Sequence, residues 1–169
     1  MSKITKNNNR ILLKPSQQEN QELSRKFVNF LMVGGKKNIA YKIFNAASYE
    51  FVRLFLIKEK KEKKKDKNAL LLSTIKSVQP SLEGRKCRIA GTTKIVPAIV
   101  SHKRGCALAI RWIIEAAEKR KKNSKMPFFR CLAQELLDTY NKQGGARQRR
   151  DQSHKICQSS RGNLRYRWW

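Results

Sequence analysis

Apolar positions recur at intervals of about three and four residues along most of this chain, the spacing of a helix with one buried face. Leu23, Phe27, Phe30 or Leu31, and Val33 predict a first helix from about Gln18 to Val33. Gly34 and Gly35 close it, one of them in the left-handed conformation that ends many helices. A second helix runs from Lys36-Lys37 to about Leu56 with a buried stripe of Ile43, Ala47, Phe51 and Leu54; Tyr41 and Tyr49 read as packing residues. A third, from Asn68 to Val78, buries Leu71 or Leu72, Ile75 and Val78 before Pro80 stops it.

The helical spacing then breaks. Ser81 to Arg88 reads as a weak strand, Ala90-Gly91 as a turn, and Ile95 to Val100 as a returning arm, which together predict a β-hairpin over about 81–100. Pro97 cannot donate to a ladder, so the second arm is expected to lie exposed at an edge or to leave the sheet. Ser101 follows as the cap of a helix to about Arg120, apolar over most of its first half and charged at its end. Lys121 to Lys125 form a polar link, and Pro127 suits the first turn of the next helix. Phe129, Leu132, Leu136 and Tyr140 give that helix its buried face, and Gly144-Gly145 end it. A last helix runs from about Ala146 to Arg161, before a basic aromatic tail over 161–169. The fold class is therefore mainly α: a bundle of about six helices with a β-hairpin between the third and fourth. Residues 1–17 read as a basic arm, and 18–169 as one helical domain.

Charge narrows the function. Lysine and arginine number 39 against 12 acids, a formal charge of +27. Repulsion on that scale works against a compact isolated chain, and a bound polyanion relieves it while releasing counterions. Nucleic acid is the partner this implies. A membrane partner is not expected, because no stretch approaches the roughly 20 apolar residues of a span. Nor does the N-terminal sequence show the apolar core of a secretory signal. The run Lys58 to Lys67 is too lysine-rich to bury a face and reads as an extended helix end or solvated loop.

Chemistry finds little footing. Cys87, Cys106, Cys131 and Cys157 form no C-x-x-C pair, and His102 and His154 lie far apart, so no metal ligands and no cofactor are expected. Three of the cysteines fall in predicted helices, where a small buried thiol is the ordinary expectation. Metal-assisted phosphoryl chemistry needs clustered carboxylates. Glu115 with Glu118, and Glu135 with Asp138, read instead as solvent-facing charge on ordinary helices. No catalytic residue is assigned, and the chain is not expected to be an enzyme. A sequence-specific DNA-binding helical protein is the alternative, with a helix-turn-helix around Gly144-Gly145.

Binding residues are easier to place. Lys36 and Lys37 stand at a helix start, where they oppose the helix dipole, a local cost that phosphate contact would offset. Arg85, Lys86, Arg88 and Lys94 make the hairpin basic. In the last helix Arg147, Arg149, Arg150, His154, Lys155 and Arg161 leave too little apolar surface for packing alone to hold it. Arg165 to Trp169 interleaves arginine with aromatics, either to stack on bases or to fold back as an apolar anchor.

Four stretches resemble the family of small-subunit ribosomal protein S7: Lys26–Lys37 (KFVNFLMVGGKK), Arg88–Pro97 (RIAGTTKIVP), Ala107–Ala117 (ALAIRWIIEAA), and His154-Lys155 through Tyr166-Arg167-Trp168. The close at Arg167-Trp168-Trp169, the Ile-Ala-Gly-Thr turn and the lysine- and asparagine-rich composition are similar to mitochondrially encoded members. The resemblance implies a structural constituent of the small ribosomal subunit and a primary binder of its ribosomal RNA. It implies the 3′ major domain, or head, as the target, with neighbouring head and platform proteins as further partners. It also puts the hairpin near the exit-site transfer RNA and the messenger path. The implied location is the mitochondrion, with the plastid as alternative. Carried over by position, RNA contacts fall on Lys36, Lys37, Arg85, Arg88, Lys103, Arg104, Arg111, Arg149, Arg150, His154, Lys155, Arg161 and Arg167. Lys94 and Arg147 join them from the basic hairpin and last helix. Gly162-Asn163 replaces an Ala-Phe pair of the family, so the last helix is expected to end early.

Overall fold

The computed structural model describes residues 15–59 and 67–169. Most of the expected basic arm and of the lysine-rich run therefore lies outside the described residues. Among these are six α-helices and one hairpin: α1 Pro15–Leu31, α2 Lys37–Glu59, α3 Lys67–Val78, β1 Leu82–Ile89, β2 Thr92–Ile99, α4 His102–Asn123, α5 Phe128–Tyr140 and α6 Gly145–Ser159. A 3₁₀ helix, Arg161–Tyr166, follows α6. The hairpin lies between the third and fourth helices, as the apolar spacing predicts.

One continuous core joins the first five helices and takes in Ala146 at the start of α6. Phe27 and Val28 of α1 meet α2, where the rings of Phe27 and Phe44 lie 5.1 Å apart. The buried stripe of α2 is Ala40, Phe44, Ala47, Phe51 and Phe55, one position round from the expected Ile43 and Leu54, which are only half-buried. One residue is about 100° of helix, enough to move a stripe between neighbours without breaking its spacing. That rotation leaves Tyr41 and Tyr49 exposed rather than packed. Lys67 instead lies over the Tyr49 ring at 4.6 Å. Val33, beyond the end of α1, is 81% exposed and outside the core. In α3 the buried residues are Leu70, Leu71, Thr74, Ile75 and Val78. α4 crosses the middle with Ala109, Ile110, Ile113 and Ala117 shut away from solvent, and α5 adds Leu132, Ala133 and Leu136. Each large core side chain contributes about 1.5–3 kcal/mol.

The hairpin is an antiparallel pair from Leu82↔Ile99 to Ile89↔Thr92. Its turn, Ala90-Gly91, has positive φ at both residues (47° and 79°), the left-handed turn whose twist suits a two-residue hairpin. Pro97 does not leave the sheet. It pairs with Gly84 and is buried, because a sheet of two strands has only edges and can tolerate the missing donor while α6 covers its face. Ser101 precedes α4 but its side chain caps nothing; its carbonyl accepts the first helical bond, from the Gly105 N–H at 2.9 Å. α4 continues to Asn123, through part of the expected link.

A polar knot fixes α6 to this core. Glu135 does not face solvent: it is 1% exposed. Its carboxylate accepts from Arg120 Nη2 at 2.7 Å and from the Ala146 N–H at 3.0 Å, so it caps the start of α6. Asp138 takes the same Arg120 Nη2 at 2.6 Å. Gly144 stands at the junction with φ +95°, where a Cβ would lie 2.9 Å from Glu135 Oε1. Glycine is required there twice over, for the backbone conformation and for the space.

Candidate nucleic-acid interface

α6 buries only Ala146 and Cys157, so polar bonds must place it. Arg147 Nη1 and Arg150 Nη1 both donate to the Ser77 carbonyl, at 2.6 and 2.7 Å. That carbonyl is one of the last in α3, which lacks an intrahelical partner and carries the negative end of the dipole. Asp151 lies 3.4 Å from Arg147 Nε and 3.7 Å from Arg150 Nε. These two arginines are thus turned inward and bind the fold to itself.

The same helix holds the hairpin's root. His154 Nε2 accepts the Ser81 N–H at 3.3 Å, which requires the neutral tautomer with its proton on Nδ1. Burial, then the neighbouring Arg150 charge, holds His154 below its ordinary value, keeping that acceptor available. Glu83 receives Arg104 Nε at 2.6 Å and Arg85 Nε at 3.1 Å, tying β1 to the first turn of α4. Burial by itself would raise the Glu83 pKa, but the bonds from Arg104 and Arg85 outweigh it and the group sits below its ordinary value. On the other strand Asn163 Nδ2 donates to the Ile95 carbonyl at 3.0 Å. Lys94 Nζ lies 3.5 Å from the Tyr166 hydroxyl and 4.8 Å from its ring centre.

The expected contact residues therefore divide. Arg88, Arg149, Lys155, Arg161 and Arg167 are exposed around the hairpin, α6 and the 3₁₀ helix, and Lys103 is exposed in the first turn of α4. Arg85, Lys94 and Arg104 reach the same surface but hold protein partners. Arg111, exposed on α4, lies over the Phe30 ring at 4.9 Å. Arg147, Arg150 and His154 are partly buried and bonded inward. Lys36 and Lys37 are exposed at the α1–α2 turn, and α2 packs against α1, α3 and α5 rather than the hairpin.

A groove runs beside this cationic surface. Lys86, Ile95, Trp112, Arg149 and Gln152 line the part between the hairpin, α4 and α6. It continues between α4 and α6 past Lys119, Gln148 and Gly145, with Trp112, Arg149 and Gln152 shared by both parts. Among the described residues no cluster of His, Cys, Asp and Glu could hold a metal ion, and no helix is long and apolar enough to cross a membrane. What this surface offers is positive charge, hydrogen-bond donors and the half-buried Trp112, with Glu115 an acid on the α4 wall.

The family model for ribosomal protein S7p/S5e matches residues 2–161. The chain belongs to that family. A small ribosomal subunit protein uS7m of Prototheca wickerhamii is 36% identical, with 88% of this chain and 90% of that protein covered. The uS7 protein of Dictyoglomus turgidum is 39% identical over 88% of each chain. A uS7m of Triticum aestivum is 34% identical over 89% of this chain and 96% of its own. Members of the family are ribosomal structural proteins and not enzymes, which settles the enzyme question for this chain. The relatives of the uS7m type agree with a place in the mitochondrial ribosome.

Along this groove, Trp112, Lys119, Gln148 and Gln152 were not singled out by the sequence, and Lys86 was named only as part of the basic hairpin. A helical repeat does connect Gln148, Arg149, Gln152 and Ile156 on one side of α6, and that spacing is the signal that would have found them. Trp112 had none, since an indole in an apolar helix reads as core.

Proposed function

We propose that this small-subunit protein binds the 3′ major domain of mitochondrial ribosomal RNA and organises the head around it. The exposed cations of the hairpin, α6 and the 3₁₀ helix would bridge phosphates of separate RNA helices and fix their angle. Double-stranded RNA is recognised mostly by shape, because side chains cannot read its deep major groove. A rigid set of charges therefore specifies more than a flexible one. The observation that carries this is the double anchoring of the hairpin to α4 through Glu83 and to α6 through His154, with Arg88, Arg149 and Lys155 left exposed beside the anchors. From that position the hairpin would reach toward exit-site transfer RNA and the messenger path, and neighbouring head and platform proteins would complete the surroundings. The DNA-binding alternative gives way to the family assignment.

A salt titration tests it. Binding to the 3′ domain of a mitochondrial small-subunit RNA is compared with binding to a shuffled RNA of equal length. Preference for the native RNA that persists above physiological salt is the expected result. Equal affinities that collapse together would leave only non-specific attraction between polycation and polyanion, and would sink the proposal.

A further inference from the structure

Residues 161–169 were open to two readings, an apolar anchor or a stacking platform. The structure shows which residues make the anchor. Asn163 bonds the Ile95 carbonyl at 3.0 Å, Tyr166 lies under Lys94 at 4.8 Å, and Trp169 lies under the Arg85 guanidinium at 5.5 Å. Arg85 is itself held by Glu83 at 3.1 Å, so the tail is pinned along both strands of the hairpin. Trp168 is not part of that anchor. It is 81% exposed, and its ring stands edge-on to Trp169, 5.6 Å away at 84°.

We infer that Trp168 is a stacking site for an unpaired base of the bound RNA, a role that rests on the RNA-binding function proposed above. An exposed indole flanked by a pinned neighbour has given up part of its conformational freedom before any ligand arrives, which lowers the cost of binding. The surrounding chemistry selects the ligand. Arg161, Arg165 and Arg167 precede the indole in sequence, and no acid occurs from 161 to 169. A flat aromatic group carried on a phosphate chain meets both features, whereas an apolar protein segment meets only the first. A base inside a duplex has its faces covered, so the occupant is a nucleotide in a loop, bulge or single-stranded stretch.

The test uses the full chain and the same native and shuffled RNAs, with Trp168→Ala, Trp168→Phe and Trp168→Leu. Stacking on an aromatic side chain corresponds to about a fivefold to 150-fold loss of affinity for Trp168→Ala. The salt slope should stay that of the wild type, because no charge is removed, and Trp168→Phe should restore affinity while Trp168→Leu does not. Melting temperatures should be unchanged, as the side chain is 81% exposed and its ring contact is with Trp169 at the end of the tail. Unchanged affinity in Trp168→Ala, equal rescue by Leu and Phe, or a loss that tracks a lower melting temperature would each overturn the inference and leave the RNA function standing. Failure of the wild type to prefer native RNA would instead overturn that function, and this inference with it.

Discussion

Glu135→Ala gives the sharpest test of how the binding helix is held. The carboxylate is 1% exposed, accepts from Arg120 at 2.7 Å, and caps α6 through the Ala146 N–H at 3.0 Å. Truncation removes a hydrogen bond to a charged donor, about 1.5–3 kcal/mol, and strands a buried N–H at about 1–3 kcal/mol. It does not strand a charge, because Asp138 still holds Arg120 at 2.6 Å and the arginine is partly exposed. The full penalty of a broken buried ion pair therefore does not apply. Allowing for overlap between the two losses, about 3–4 kcal/mol is expected. At about 2–4 °C per kcal/mol for a chain of this size, the melting temperature should fall by roughly 10 °C. Glu135→Gln keeps an acceptor for Ala146 and the volume, and should lose less than half as much. Thermal unfolding followed by circular dichroism at 222 nm reads both variants. A fall under about 2 °C for Glu135→Ala, or equal falls for the two, would refute the capping argument.

Further outcomes separate binding from folding. Arg149→Ala should weaken RNA binding, lower the log–log salt slope by about one unit and leave the melting temperature alone. Arg150→Ala should instead lower the melting temperature, because its bond to the Ser77 carbonyl is lost and Arg147 remains alone there; parallel melting and filter-binding curves distinguish the two. The depressed His154 means that the unfolded chain takes up a proton as pH falls through 6.5 while the folded chain resists, so stability should drop from there downward. Melting temperatures from pH 7.5 to 5.5 should fall less steeply for His154→Asn. Glu83, held below 4.5, contributes stability that is complete above 4.5 and lost as pH falls through its lower folded value. Acid unfolding of Glu83→Gln should show a shallower slope in that range, and an unchanged slope would remove Glu83 from the hairpin's anchor.

What the sequence by itself determined about this protein was whatever depends on local spacing. Helical periodicity, with the Gly, Pro and Ser signals between elements, placed the six helices, Ala90-Gly91 placed the hairpin turn, and four motifs in register placed the family. The excess of cations pointed to a polyanion with no structure in hand. Spacing could not choose between adjacent positions on a helix that is apolar over much of its circumference, so the α2 stripe fell on Phe44 and Phe55 rather than Ile43 and Leu54. Nor could it sort like charges by task. Arg147, Arg149 and Arg150 look alike in the chain, yet two of them bond a carbonyl more than 60 residues away and one faces outward. The partners that decide the matter for Glu135, His154 and Glu83 lie on other elements of the chain. A side chain's charge is written in the sequence, but whether it meets water, a carbonyl or another charge is set by which helices come together. Only the tertiary structure decided that.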